Sequence, residues 1–259
     1  MTMQRYYRAM TAVVLSGAAT LPLFAGQAVA DDAAACEPAA YTMGLRYQQQ
    51  SAEVAALQRQ GFSLATYRLK EQLEAHGDDA DLAIITDLDE TVIDNSALLA
   101  RDIAECHDFT SWDTWKVWER EGEPTLIPGA LAFLNYADEH DVSIYYVSDR
   151  YEENKADSIN TLKALELPQV SDDHVMLLGP PKTERRAKVA ENHTLVMQLG
   201  DSLHDFSGEF ADTSLEEKHE LVEDNAERLG TEWIVFPNAG YGGWSDAELD
   251  AWDAPLKMD

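Results

Sequence analysis

The sequence predicts an α/β fold, a mostly parallel sheet covered by helices on both faces. Two observations carry this reading. Five short, near-continuous apolar runs recur, at residues 82–85, 142–147, 175–178, 194–199 and 233–236, and stretches of helical pattern separate them. Strands that are apolar along their whole length are buried on both sides, which is the condition of a parallel sheet held between two helical layers. A third observation is chemical: acidic, hydroxyl and basic residues stand directly after four of these runs, at the strand ends where such sheets bind ligands.

Taken from the N-terminus, residues 1–30 hold Arg5 and Arg8, no acidic side chain, an apolar stretch over 9–25, and then Ala28-Val29-Ala30 ahead of Asp31-Asp32. That is the build of a secretory signal peptide cleaved after Ala30. Pro22 and Gly26 interrupt a stretch already shorter than the roughly 20 apolar residues a membrane span needs. The chain is therefore expected to be periplasmic or secreted, with no membrane span. Ala33-Ala34-Ala35-Cys36 lacks the bulky residue of a lipoprotein cleavage box, so release is favoured over a lipid anchor. The other cysteine is Cys106, and without a spacing signature the two are either a disulfide or a pair of buried thiols.

Residues 31–80 are expected to form an N-terminal helical extension. Val54, Leu57 and Leu64 fall at helical spacing within 45–73, giving one or two amphipathic helices with Gly61 as a weak point, before His76-Gly77-Asp78-Asp79 breaks the pattern. The main domain then spans 81–259. After its first strand, residues 96–127 are too long for a simple crossover; they carry Trp112, Trp115 and Trp118 and are expected as a helical insertion overhanging the site. Pro128 opens a helix over 130–137, and further crossover helices are expected over 152–165 and 183–191.

Composition narrows the range of partners. Lys and Arg number 19 against 48 Asp and Glu, a formal net charge of -29. Such a field repels polyanions, which excludes nucleic acid polymers and anionic membrane surfaces as natural partners. The acidic residues are spread along the chain rather than gathered in a tail, and aromatic content is 9%, so the excess marks a solvated surface and not disorder. A salt-adapted surface and an ordinary acidic exported protein both fit.

The candidate chemistry begins at Asp87-Leu88-Asp89-Glu90-Thr91, directly after the first run. Residues two apart in an extended segment face the same side. One carboxylate can then attack phosphorus as a covalent nucleophile, while the other protonates the leaving alkoxide and later activates water. Ser148, after the second run, either hydrogen-bonds a phosphate oxygen or caps the following helix. Lys182, after Gly179-Pro180-Pro181, can neutralise charge on a transferred phosphoryl group. Asp201 offers a hard oxygen ligand for Mg²⁺, and Asp205 either binds through that ion's waters or orients Lys182. The ion would offset the repulsion between an anionic nucleophile and an anionic phosphate. His107, His193 and His204 lack metal-ligand spacing with the cysteines and read as surface or packing residues.

Asp87-x-Asp89, Ser148, Lys182 and Asp201-x-x-x-Asp205 resemble, in order and setting, the four motifs of the haloacid-dehalogenase (HAD) superfamily. Gln49-x-Ser51-x-Glu53, Asp94-Asn95-Ser96, Pro128-Gly129-Ala130 and Pro237-Asn238-Ala239-Gly240-Tyr241-Gly242-Gly243-Trp244 extend the likeness to one branch. Over about residues 45–245 the chain is similar to the bacterial class C acid phosphatases, the outer-membrane lipoprotein type of the four-aspartate phosphohydrolases. The resemblance implies a HAD-like, Rossmannoid sheet and an aspartyl-phosphate formed on Asp87, with acid–base work by Asp89. It also implies Mg²⁺ held by Asp87, the Asp89 carbonyl and Asp201, with Asp205 nearby. Substrates would be nucleoside 5'-monophosphates and other small phosphomonoesters, with Trp112 and Tyr241 sandwiching the base, in what is typically a homodimer. The sequence departs from the branch in its imperfect lipobox, in Leu98 and Leu99 where aromatics usually follow Asp-Asn-Ser, and in His204 where an acid is common. Two other readings use the same fold: a non-catalytic binding or storage protein, a route that usually loses the nucleophile, and a phosphotransferase working through the same intermediate.

Overall fold

The structure is a computed structural model that describes residues 36–77, 80–245 and 247–255. The expected leader over 1–30 lies outside the described residues. After a 3-10 turn at Glu37–Tyr41 come α1 (Thr42–Gln50) and α2 (Ala52–His76). The expected amphipathic stretch is thus two helices, parted at Ser51, whose extended backbone lets its hydroxyl accept from the amides of Glu53 and Val54 and cap α2. α2 runs unbroken through Gly61. The glycine is a notch, since a Cβ there would lie 2.8 Å from the Phe236 ring, and the ring packs where a side chain would stand.

The chain continues through β1 (Leu82–Thr86), a short β2 (Ile93–Asp94), α3 (Ser96–Ala104), α4 (Trp115–Glu121), a short β3 (Thr125–Leu126) and α5 (Ala130–Glu139). Then follow β4 (Ser143–Tyr151), α6 (Lys155–Ala164), β5 (Val175–Leu178), α7 (Lys182–Ala190), β6 (Thr194–Gly200), α8 (Leu215–Asp224) and β7 (Trp233–Val235). The five long strands form one sheet in the order β5-β4-β1-β6-β7, with every neighbouring pair parallel. Successive side chains of β1 go to opposite faces. Leu82 and Ile84 join the larger core with Phe62 and Leu69 of α2 and Phe133 of α5, while Ala83 and Ile85 pack with Val189 of α7.

Three features differ from the sequence reading. First, β4 runs on through Ser148, Asp149 and Arg150, so these polar residues lie on the strand and not after it. Second, the insertion is not wholly helical: β2 and β3 pair antiparallel, Ile93 with Leu126 and Asp94 with Thr125, and draw its two ends together. Third, α8 is an added helix without buried residues, started by a capping box between Ser214 and Glu217.

The insertion rests on α1 through a second core of Leu45, Leu98, Leu99, Phe109 and Trp115. Leu98 and Leu99 are therefore packing residues beneath the cavity wall. Cys36 and Cys106 form a disulfide that ties the start of the helical extension to the end of α3. Among the described residues no helix is long and apolar enough to cross a membrane.

Candidate active site

At the carboxyl end of β1 the chain turns back sharply. The amide of Asp87 still bonds to Leu199 O of β6 at 2.9 Å, and Leu88 O then accepts from Val92 N and Ile93 N. The turn is tight enough to hold Glu90 at φ 57°, a conformation rare for a residue with a side chain. On the neighbouring strand, β6 ends at Gly200. A Cβ there would lie 2.4 Å from Asp205 Oδ2, so glycine is what allows Asp205 to fold back beside Asp201.

Carboxylate oxygens of Asp87, Asp201 and Asp205 lie within 4.8 Å of one another. Lys182, the first residue of α7, donates from Nζ to Asp87 Oδ1 and to Asp205 Oδ1, each at 2.6 Å. Asp205 Oδ2 accepts from Ser202 N, and Asp201 accepts from Asn238 Nδ2 at 2.9 Å and from the Thr91 hydroxyl at 3.2 Å. Burial pushes the Asp87 carboxyl well above the usual range against the pull of Lys182. Burial, and then repulsion from Asp205, raises Asp201 to about 6. For Lys182 the cost of burial is outweighed by Asp205 and Asp87, which keep the ammonium charged beyond its ordinary range. Three clustered acids with hard oxygen donors, two of which, Asp87 and Asp201, resist ionisation because they are buried beside other acids, fit a divalent metal ion.

Asp89 lines the same cavity as Asp87 but has different partners. Its carboxylate accepts from Arg150 Nε at 3.0 and 3.1 Å, from Arg150 Nη2 at 2.8 Å, from Asn95 Nδ2 at 2.8 Å and from the Ser148 hydroxyl at 3.1 Å. Ser148 is thus brought to Asp89. Asp149 pairs with Arg185 at 2.5 Å and sits 3.4 Å from His204 Nε2. Burial would raise Asp149, but His204, Lys182 and Arg185 together hold it well below the usual carboxylate range.

Asp87, Asp89, Ser148, Lys182, Asp201 and Asp205 line one cavity of about 570 Å³ together with Trp112, Trp115 and Tyr241. Trp112 and Tyr241 do come together, but edge to face with centroids 5.2 Å apart, and Trp115 touches both. That differs from the parallel pair, standing clear of each other, that a base sandwich requires. The Tyr241 hydroxyl donates to Glu90, a buried acid raised well above its usual range by burial and then by Asp89. His204 lines the cavity and hydrogen-bonds the Ser202 hydroxyl, so it is more than the packing residue expected, whereas His107 pairs with Asp113 on the surface and His193 bridges Asp81 and Tyr145.

The sequence reading gave no role to Arg150, Asn95, Asn238, Thr91, Glu90 or Trp115. Glu90, Thr91, Asn95 and Asn238 nevertheless stand within the matched motifs, Trp115 within the insertion expected over the site, and Arg150 two residues after Ser148.

The HAD superfamily, subfamily IIIB (acid phosphatase) family model matches residues 8–244. Among solved structures the chain is similar to the class C acid phosphatase from Bacillus anthracis, at 31% identity and a TM-score of 0.77, covering 81% of this chain and 88% of that one. The tungstate-bound form of that Bacillus anthracis enzyme matches with the same identity, coverage and score. A five-stranded parallel sheet with acids clustered at its carboxyl end agrees with both likenesses. The chain belongs to the acid phosphatases of HAD subfamily IIIB, a family of phosphomonoester hydrolases.

Proposed function

We propose that the protein hydrolyses small phosphate monoesters, nucleoside 5'-monophosphates among them, through an aspartyl-phosphate on Asp87. The observation that carries the proposal is the convergence of Asp87, Asp201, Asp205 and Lys182 at one end of the sheet, with Asp89 and Ser148 on the same cavity. An Asp87 carboxylate oxygen forms a bond to phosphorus as the ester P–O bond breaks, and Asp89, which takes up a proton from solvent before the step, passes it to the leaving oxygen. Asp89 then takes a proton from the water that attacks the phosphoenzyme, releasing inorganic phosphate and freeing Asp87. Lys182 and Ser148 donate to the phosphoryl oxygens. Tungstate in the Bacillus anthracis relative, an oxyanion, supports an oxyanion pocket of this kind.

Mg²⁺ is the cofactor proposed, held by Asp87, Asp201, the Asp89 main-chain carbonyl and Asp205. When bound it offsets the negative charge that nucleophile and phosphate bring together. The half-exposed face of Trp112 offers a stacking surface for a base without any slot between the rings. For location we propose export with the 1–30 leader removed, the 31–80 extension and the 81–259 domain remaining together, and assembly as a homodimer. The Cys36 sulfur is bonded to Cys106, which leaves no thiol for a lipid and favours a released protein over an anchored one.

The test is Asp87→Asn assayed on p-nitrophenyl phosphate with Mg²⁺ and with chelator. Wild type should turn over with the metal and stop in chelator, and the variant should lose at least roughly a thousandfold. Turnover retained by the variant refutes the nucleophile.

A further inference from the structure

We propose that Arg150 is the positioning residue for Asp89, and that insertion helix α4 sets its position. The inference rests on the reading of Asp89 as the proton carrier. Arg150 is buried, and its guanidinium engages both oxygens of Asp89, at 3.0 and 3.1 Å from Nε and 2.8 Å from Nη2. A fork of this kind fixes both the place and the plane of a carboxylate, which a single ammonium cannot do.

Arg150 is itself held from the insertion. Asn95 Oδ1 accepts from Arg150 Nη2 at 3.2 Å and from the indole N–H of Trp118 at 2.8 Å, while Asn95 Nδ2 donates to Asp89 Oδ1. The next residue of α4, Glu119, is buried and accepts from Tyr151 N at 3.2 Å and Asn154 Nδ2 at 2.7 Å, pinning the backbone immediately after Arg150. Two successive side chains of α4 thus act on the arginine through its neighbours, Trp118 through Asn95 and Glu119 through the amide of Tyr151. The same helix carries Trp115 of the cavity wall, so one element both lines the cavity and bears on the arginine that holds Asp89.

A residue that acts through another should lose its effect when that other is removed. We expect Asp89→Asn to lower kcat by roughly a hundredfold or more, within the range of general acid–base catalysis. Arg150→Lys, which keeps the charge and loses the fork, should lower kcat roughly tenfold to a hundredfold in the wild-type background, with KM and inhibition by inorganic phosphate unchanged. In the Asp89→Asn background the same substitution should cost less than about twofold. Trp118→Phe, which removes the indole N–H and leaves a smaller aromatic ring, should lower kcat about threefold to tenfold and be equally silent without Asp89. Should Arg150→Lys fail to fold, as a melting curve would report, Trp118→Phe carries the test. Full activity in Asp89→Asn sinks the reading of Asp89 itself. A normal loss there, with Arg150→Lys or Trp118→Phe costing the same factor in both backgrounds, leaves that reading standing and overturns the positioning role.

Discussion

Replacing Lys182 by methionine removes the cation that two buried carboxylates share. The ammonium lies 2.6 Å from Asp87 and from Asp205 and 4.0 Å from Asp149, and it is 8% exposed, so the only water that can reach its place is that of the adjoining cavity. Breaking a buried ion pair from one side costs about 3–5 kcal/mol, because the partner is left charged and unsolvated. Here the loss should fall near the lower end, about 3 kcal/mol at neutral pH, since Asp87 already resists ionisation and takes up a proton once the lysine is gone. For a domain of this length that corresponds to a fall in Tm of about 6–12 °C. Mg²⁺ among the same carboxylates should restore most of the loss, so the gap between variant and wild type should be wide in chelator and narrow in metal. Urea unfolding of both proteins, with EDTA and with Mg²⁺, measures it, with an unchanged m-value as the sign of an intact unfolding transition. A loss below about 1 kcal/mol in EDTA, or a gap that metal leaves unaltered, refutes the idea that Lys182 neutralises the cluster.

Three further outcomes follow from the same structure. The Asp201 carboxyl is raised in the fold to about 6 from an ordinary 3.8, so its contribution to stability is complete below about pH 4 and is lost as pH rises through about 6; metal, which displaces that proton, should add more to Tm at pH 7 than at pH 4.5, and a flat increment would contradict the shift. Cys36→Ser with Cys106→Ser opens a loop of 70 residues and should cost about 4 kcal/mol in urea titrations while phosphatase turnover at 25 °C persists; an unchanged midpoint would deny the disulfide a stabilising role. With a net charge of -29 relieved by screening, the unfolding midpoint should rise from low to molar NaCl, and no rise would favour the ordinary acidic reading of the surface.

Residue types at the site were legible because chemistry and topology restrict them locally. An acid after an apolar strand is costly unless used, and Asp87, Asp201, Lys182 and Ser148 each follow such a run or lie at its continuation. The end of β4 was not legible, since Ser148, Asp149 and Arg150 are polar and a pattern of hydrophobicity reads them as loop. What keeps them on the strand comes from another helix: Arg185 of α7 donates to Ser148 O at 2.6 Å and to Met176 O at 3.0 Å, tying β4 to β5. The cysteine pair was open for the same kind of reason, because no local pattern joins residues 70 apart.

The partners of the site residues lie further off still, and they explain why an N-terminal helix belongs to the site at all. Gln48 of α1 donates to Pro237 O and accepts from Ala239 N, bonds that span 189 and 191 residues, and Gly44 lets Ala239 O approach where a Cβ would stand 2.4 Å away. Between those anchors sits Asn238, whose amide holds Asp201, and just beyond them Tyr241, whose hydroxyl meets Glu90. Helical spacing in 45–73 predicts a buried face but not what it buries against. Only once the extension is seen clamping the loop that orients Asp201 does its place in the enzyme acquire a physical reason: α1 fixes the backbone on both sides of Asn238, while the side chain's own oxygen is held by the amides of Gly240 and Tyr241.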